Sequence, residues 1–134
     1  MKKLSFLVLL LIPFIFVSCL PDEDTPEDGE ETDYAAKFLG TWHVYEADKR
    51  LNYDVTIERY SNSETEIVLK NFADLGTVKG DCYEESVLID NQQIDENYSI
   101  QDASGHYVNS KKLTFQYTLS DGIDLETRTA TFSR

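Results

Sequence analysis

The sequence predicts an all-β fold: a small antiparallel up-and-down barrel of eight strands, preceded by a signal peptide and a disordered acidic tether. Three observations support this prediction. Residues 34–134 contain no proline, their apolar residues alternate with polar ones, and turn-forming residues separate the alternating runs. Short strands joined by short connections run antiparallel, which favours a barrel or a sandwich in a single domain over residues 34–134.

The chain begins with a segment typical of a secretory signal. Lys2 and Lys3 give it a positive start, and an apolar stretch follows from Leu4 to Val17. At about 1.5 Å per residue this stretch spans roughly 21 Å of helix, which is less than the roughly 30 Å of a bilayer core. We therefore predict a signal peptide over residues 1–18 rather than a membrane-spanning helix.

The leader ends in Phe16-Val17-Ser18-Cys19, which resembles a bacterial lipobox. This resemblance implies that Cys19 receives a diacylglyceryl thioether, that the signal is cut before it, and that the new amino terminus is acylated. Two or three acyl chains hold a protein stably on a bilayer, whereas one holds it only marginally. The other interpretation is a cleaved secretory leader whose Cys19 pairs with Cys82.

Residues 19–33 form the predicted tether. The segment from Asp22 to Asp33 has eight carboxylates and no basic residue, and prolines and a glycine interrupt it. Such a segment repels itself and cannot bury apolar surface, so we expect a solvated, extended chain. Asp22, Glu23 and Asp24 also resemble the signal that sends Bacteroidetes lipoproteins to the cell surface. A plain spacer is the other interpretation.

The charge balance excludes nucleic acid as a partner. The chain has 25 acidic and 12 basic side chains, a net charge of −13. Without Lys2 and Lys3 the balance is −15, and eight of these charges belong to the tether, which leaves −7 on the domain. No basic stripe is present to neutralise phosphates, and anionic lipid head groups would be repelled too, so lipid chains must provide any membrane attachment.

The predicted strands follow the alternating runs of the domain in order. A single helical turn over Ala35–Leu39 precedes the first of them. The strands are predicted at 40–47, 53–60, 65–72, 76–83, 86–90, near 97–101, 111–119 and 126–132. The turns between them are predicted at Ser61-Asn62-Ser63, Asp90-Asn91, Ser104-Gly105 and Ser120-Asp121-Gly122.

The alternation also predicts which side chains face the core. In the strand at 111–119, Leu113, Phe115, Tyr117 and Leu119 alternate with polar residues and are expected to point inward. The same parity predicts these further inward residues: Trp42, Val44, Tyr53, Val55, Ile57, Ile67, Leu69, Val78, Cys82, Val87, Ile89, Tyr98, Ile100, Ala130 and Phe132.

Two runs carry a family resemblance. Phe38-Leu39-Gly40-Thr41-Trp42 enters the first strand, and LTFQYTLSDG, from Leu113 to Gly122, leads into the last strand. In this order the chain resembles the lipocalin-like barrels of Bacteroidetes lipoproteins. The resemblance implies that an arginine near the end of the last strand covers Trp42, and antiparallel pairing favours Arg134 over Arg128. A frayed, solvated Arg134 is the other interpretation.

No constellation of residues predicts catalysis, so the chain is not expected to be an enzyme, and no cofactor or metal is expected. His43 falls on the outward parity of its strand, and His106 is predicted to follow a hairpin glycine. Neither histidine is predicted to converge with Cys82, which a metal site would require. Cys82 is predicted to be a buried small hydrophobe.

The remaining functional candidate is the barrel interior or its open mouth, because eight strands enclose a space that side chains fill or that holds one small ligand. We expect a lipid-anchored binding module of the cell envelope that captures a small apolar or glycan-like ligand, with Tyr53, Tyr98 and Tyr117 lining the site. The anchor would place it on the outer membrane, at the cell surface or on the periplasmic face.

The alternative is an accessory protein that docks on an outer-membrane partner and has a filled barrel. An exposed aromatic patch formed by Tyr45, Tyr60 and Tyr107 would favour this alternative.

Overall fold

The computed structural model describes residues 33–134, which begin with a 3-10 turn at Ala36–Phe38. Nine strands follow: β1 Gly40–Glu46, β2 Leu51–Arg59, β3 Glu66–Phe72, β4 Gly76–Tyr83, β5 Ser86–Ile89, β6 Gln92–Gln93, β7 Ser99–Asn109, β8 Lys112–Ser120 and β9 Leu125–Ser133. The predicted signal peptide, the lipidation site Cys19 and the export residues Asp22, Glu23 and Asp24 lie outside the described residues. They stay predictions.

The strands form a closed antiparallel barrel. Their order is β5-β4-β3-β2-β1-β9-β8-β7, and pairing between β5 and β7 joins the two ends of this series. Eight strands make the barrel, and the two-residue β6 pairs with the beginning of β7. The predicted eight-stranded up-and-down barrel is therefore confirmed. Within residues 33–134, no helix is long and apolar enough to cross a bilayer.

The two ends of the barrel differ. At the closed end lie the 3-10 turn and the connections β2–β3, β4–β5 and β7–β8, and the side chain of Phe38 is fully buried there. At the other end, which we call the mouth, lie the connections β1–β2, β3–β4, β5–β7 and β8–β9. Within the described residues, the 3-10 turn lies at the closed end and no helix lies at the mouth.

The predicted inward residues are buried, with the exception of Tyr98, which is half-buried at the mouth. Aromatic rings fill the middle of the barrel: Phe115 lies with its ring centroid 4.6 Å from that of Phe132, and Phe72 lies 5.0 Å from Tyr117. Parity alone places Phe72 outward. A bulge between Leu69 and Phe72, with Asn71 at a φ of 70°, turns Phe72 into the core.

One predicted turn is wrong. Ser104-Gly105 was expected between two strands, with a short strand near 97–101 before it, but both residues lie inside the long strand β7. A glycine is needed at this position of the strand because the ring of Phe115 packs against its backbone. A Cβ atom at position 105 would lie 2.2 Å from Cε1 of Phe115. His106 consequently lies in mid-strand, opposite Ser86 and Thr114, and not after a hairpin glycine.

The predicted contact between Trp42 and Arg134 is confirmed at the closed end. The guanidinium carbon of Arg134 lies 3.8 Å from the ring centroid of Trp42. Arg134 also donates hydrogen bonds to the carbonyls of Leu39 and Ser110, at 2.6 and 2.9 Å. Since the indole N–H of Trp42 donates to the carbonyl of Phe38 at 2.9 Å, these contacts fix the 3-10 turn over the end of the barrel.

The chain enters the barrel at the closed end. Both carboxylate oxygens of Asp33 accept hydrogen bonds from Arg59 at 2.8 Å, and one also accepts the backbone N–H of Ala36 at 3.1 Å. The ion pair with Arg59 lowers the pKa of Asp33. Asp33, assigned to the tether by the sequence, therefore contacts the barrel directly.

Candidate functional site

A buried carboxylate marks the mouth end of the barrel. Glu46 is the last residue of β1, on the same inward parity as Trp42 and Val44, and it is 1% exposed. Its Oε2 atom accepts hydrogen bonds from the hydroxyls of Tyr117, at 2.6 Å, and of Tyr53. The barrel therefore buries an acidic side chain beneath its mouth, held by two phenolic donors.

Arg128 of β9 connects this carboxylate to the rim. Its Nη1 atom lies 3.5 Å from Oε1 of Glu46, and its Nη2 atom donates to Glu126 at 3.2 Å. Glu126 also forms an ion pair with Lys49 of the β1–β2 connection. Charges of alternating sign thus run from the exposed rim to the buried carboxylate. We call Glu46, Tyr53, Tyr117 and Arg128 the polar cluster.

Two atoms of the polar cluster lack a hydrogen bond. Among the described residues, Oε1 of Glu46 has no donor and Nε of Arg128 has no acceptor, although both atoms are buried. Buried polar groups are nearly always hydrogen-bonded, and leaving one unsatisfied costs about 1–3 kcal/mol. The cluster therefore has one buried acceptor, which contacts Arg128 only through the ion pair at 3.5 Å, and one buried donor that form no hydrogen bond within residues 33–134.

Burial sets the protonation of the tyrosines. Loss of hydration raises the pKa of both Tyr53 and Tyr117, and the hydrogen bonds to Glu46 raise it further. Both hydroxyls therefore stay protonated and act as donors at neutral pH. Burial opposes the charge of Arg128, but its contacts with Tyr117, Glu126 and Glu46 outweigh this effect and raise its pKa.

Two adjoining pockets open at the mouth. The first has a volume of about 220 Å³ and is lined by Leu51, Ala73, Asp74, Leu75, Tyr98, Leu119, Glu126 and Arg128. The second, of about 410 Å³, is lined by Tyr98, Leu119, Asp121, Asp124, Leu125 and Glu126. They share Tyr98, Leu119 and Glu126, so they adjoin each other, and their linings combine leucine and tyrosine side chains with carboxylates. Arg128 belongs both to the first pocket and to the polar cluster.

The structure separates the three predicted ligand-binding tyrosines. Tyr98 lines both mouth pockets. Tyr53 and Tyr117 are buried, and their hydroxyls donate hydrogen bonds to the carboxylate of Glu46. The sequence reasoning missed Glu46 and Arg128, although a signal was available: both lie on inward parity near the same end of the barrel, and two opposite charges on inward positions predict a buried ion pair.

The other candidate residues do not converge. His43 lies on the outer face, where its ring nitrogens contact Asp54 and Asn52 at 3.1 and 3.0 Å. Cys82 is buried as predicted, and burial raises its pKa to about 12. It forms no disulfide within residues 33–134, and Cys19 lies outside that range. In the same range, no group of three His, Cys, Asp or Glu residues is arranged to hold a metal ion.

A groove of about 480 Å³ lies on the outer wall and crosses β5, β7, β8 and β9. Its lining contains no Asp, Glu, Lys or Arg side chain. The lining residues are Ser86, Leu88, Ser104, Gly105, His106, Thr114, Phe115, Gln116 and Thr129. The side chain of Leu88 is 62% exposed there. This uncharged groove contrasts with the acidic mouth.

The three outward tyrosines do not form one patch. Tyr45 lies beside Asn52 at the mouth end of the β1–β2 hairpin, and Tyr60 follows the end of β2 at the closed end. Eight residues of strand separate position 52 from position 60, roughly 26 Å. Tyr107 is half-buried and packs edge-on against Phe38 with ring centroids 5.9 Å apart.

Comparison with known proteins identifies similar folds. EF1p2_mFAP2b bound to DFHBI aligns with a TM-score of 0.52 and 14% identity over 78% of this chain and 99% of its own. A redesigned β-barrel aligns with a TM-score of 0.47 and 19% identity over 77% of this chain and 96% of its own. The sequence matches no family model and no curated protein. The first of these similarities supports the small β-barrel fold, and the lipoprotein family stays a prediction.

Proposed function

We propose that this protein is a lipid-anchored binding module that captures a small, largely apolar ligand at the barrel mouth. The observation that carries this proposal is the polar cluster beneath the mouth pockets, with Arg128 shared between the two. Aromatic rings fill the middle of the barrel, which favours the mouth over a central cavity as the ligand site.

The energetics of the cluster support a binding role. A buried ion pair is often no more stabilising than well-packed apolar residues of the same volume, because both charges lose their hydration. Position 46 shares its inward face with Trp42 and Val44, where an apolar side chain would serve the fold. A buried charged side chain with an oxygen atom that forms no hydrogen bond within the described part of the chain thus supports a ligand-binding role more than a purely stabilising one.

The place of action is proposed from the leader. Cys19, following an apolar run and Ser18, would carry the lipid, and Asp22, Glu23 and Asp24 would direct the protein to the outer surface of the outer membrane. Attachment through lipid is consistent with the charge of the domain, because a net charge of −7 opposes contact with anionic head groups. In this arrangement the barrel would sample ligands at the cell surface, with the periplasmic face as the alternative.

The test is native mass spectrometry of the full chain purified from the cells that produce it, followed by organic extraction. We expect an additional mass that is lost on denaturation. Tyr98→Ala should lose this mass because Tyr98 lines both mouth pockets. The matched control Tyr45→Ala, on the outer face, should retain it. A wild-type protein without additional mass, or one that keeps it in Tyr98→Ala, contradicts binding at the mouth.

A second candidate function is docking on an outer-membrane protein through the outer wall. The groove across β5, β7, β8 and β9, with the exposed Leu88 in its lining, favours this candidate. Under this hypothesis, Leu88→Glu should abolish co-purification of one defined envelope protein, and Tyr98→Ala should leave it unchanged. The reverse pattern would favour the mouth as the functional surface.

A further inference from the structure

The mouth site has the chemistry to discriminate between ligand head groups. We propose that it selects a neutral group that both donates and accepts a hydrogen bond, such as a hydroxyl or a primary amide, attached to an apolar body, and that it discriminates against carboxylates. This inference rests on the proposed function and specifies the class of ligand that the mouth takes.

The first argument is hydrogen-bond complementarity. Oε1 of Glu46 can only accept, and Nε of Arg128 can only donate. Both atoms are buried, neither forms a hydrogen bond among the described residues, and the contact of Oε1 with the guanidinium is an ion pair to Nη1 at 3.5 Å. A hydroxyl or an amide supplies a donor and an acceptor together, so one such group can satisfy both atoms. A carboxylate offers no donor, and an ammonium offers no acceptor.

The second argument is charge. Four carboxylates line the two mouth pockets, those of Asp74, Asp121, Asp124 and Glu126, against the single guanidinium of Arg128. Arg128 already lies between Glu126, at 3.2 Å, and Glu46, at 3.5 Å. A ligand carboxylate that approaches Arg128 would therefore add a third negative charge around one positive charge, and like charges at such distances repel strongly away from bulk water.

An ammonium group meets the opposite problem. The acidic rim attracts it, but at Glu46 it would lie next to the guanidinium of Arg128, whose positive charge is held in place by two carboxylates. It would also leave Nε of Arg128 without an acceptor. We therefore expect cations to gather at the rim and neutral head groups to occupy the polar cluster.

The apolar body of the ligand has its own surface. Leu51, Leu75 and Leu119 line the first pocket together with the ring of Tyr98, and Leu125 extends this surface into the second. Burying each CH₂ group of an alkyl chain here contributes about 0.8 kcal/mol. The combination predicts binding of long-chain alcohols, primary amides or similar amphiphiles.

Isothermal titration calorimetry of the full chain with four probes tests the inference: octan-1-ol, octanamide, octylammonium and octanoate, which share one alkyl chain. At neutral pH, octan-1-ol and octanamide should bind at least about tenfold more tightly than octanoate, a difference of about 1.4 kcal/mol, and more tightly than octylammonium. Octanoate or octylammonium binding as tightly as octan-1-ol overturns the inference and leaves the proposed function intact. If no probe binds, the proposed function itself fails for this class of ligand.

Charge-neutralising variants test the cause of the selection. Glu46→Gln and Glu126→Gln each remove a negative charge beside Arg128 and keep the size of the side chain, so the preference for octan-1-ol over octanoate should fall in both. Glu66→Gln, on the outer face near the closed end, is the matched control and should keep the wild-type ratio. If Glu46→Gln does not fold, the half-exposed Glu126 still gives a result. A ratio that stays unchanged in Glu126→Gln, or in both variants, contradicts the electrostatic argument.

Discussion

Single residues at the mouth combine two demands that conflict, a stable interior and a polar site. Tyr53 and Tyr117 bury their rings in the core, and their hydroxyls donate hydrogen bonds to Glu46. Each tyrosine therefore contributes both to the core and to the candidate site. Arg128 is also largely buried, with a side chain that is 14% exposed, and its guanidinium forms ion pairs with Glu46 on one side and Glu126 on the other. Removing any one of these side chains should therefore leave a buried polar or charged group of the cluster without its partner.

A double-mutant cycle measures this dependence. Arg128→Leu should cost about 3–5 kcal/mol in the free energy of unfolding, because it leaves Glu46 buried without a positive charge. Glu46→Leu should also be destabilising: Arg128 keeps Glu126 at 3.2 Å, but the buried hydroxyls of Tyr53 and Tyr117 lose their acceptor. The double variant should be destabilised by about 1–3 kcal/mol less than the sum of the single variants, as measured by urea denaturation. Simple additivity would show that the two side chains do not interact.

The buried tyrosines predict a loss of stability at high pH. Burial raises the pKa of Tyr53 and Tyr117 above the value of about 10 expected in the unfolded chain. Above about pH 10 the unfolded state therefore binds fewer protons than the folded state, and the free energy of unfolding falls as pH rises, by up to about 1.4 kcal/mol per pH unit for each group. Below that pH this contribution is fully present.

Variants separate this effect from that of Cys82, whose pKa burial raises to about 12 and which acts in the same direction. Tyr53→Phe and Tyr117→Phe should each make the decline with pH shallower, as measured by urea denaturation between about pH 9 and pH 11. A wild-type free energy of unfolding that stays constant over this range would contradict the assignment.

At the scale of the strands, alternation was enough to predict the barrel, and departures from alternation caused the errors. Alternation in the predicted strand 111–119 gave its inward residues, and the same residues are buried in β8. Phe72 is absent from the predicted inward residues and Gly105 was predicted in a turn, because neither a bulge nor an aromatic ring that needs space can be recognised from a period of two. For the candidate site, Tyr98 was predicted and lines both mouth pockets, while Glu46 and Arg128 were missed because charged residues in strands are ordinarily solvated.

The contact between β7 and β8 gives a prediction for these elements. Gly105→Ala should cost about 1–3 kcal/mol in the free energy of unfolding, because its Cβ atom would lie 2.2 Å from the ring of Phe115. Ser104→Ala, the exposed neighbour in the same strand, is the control and should stay within about 0.5 kcal/mol of the wild type. Adding Phe115→Leu should reduce the cost of the alanine. Equal stability of Gly105→Ala and the wild type would mean that β7 has room at this position.

For the whole molecule, the two ends of the barrel differ in their contacts. The chain enters through Asp33 and Arg59 at the closed end, where Trp42 and Arg134 fix the 3-10 turn, and the pockets open at the opposite end. An anchor attached to the residues before Asp33 would therefore connect to the end that does not carry the site.

The anchor is testable because the chain has two cysteines in different settings. Labelled palmitate should enter the wild type and not Cys19→Ala, since only a cysteine at the cleavage point of a lipoprotein signal would be acylated. Cys82→Ala is the matched control: its thiol is 4% exposed inside the barrel, so this variant should be labelled like the wild type and should sediment with the membrane. Equal labelling of Cys19→Ala and the wild type would reject the lipoprotein hypothesis and still leave the mouth as a binding site of a secreted barrel.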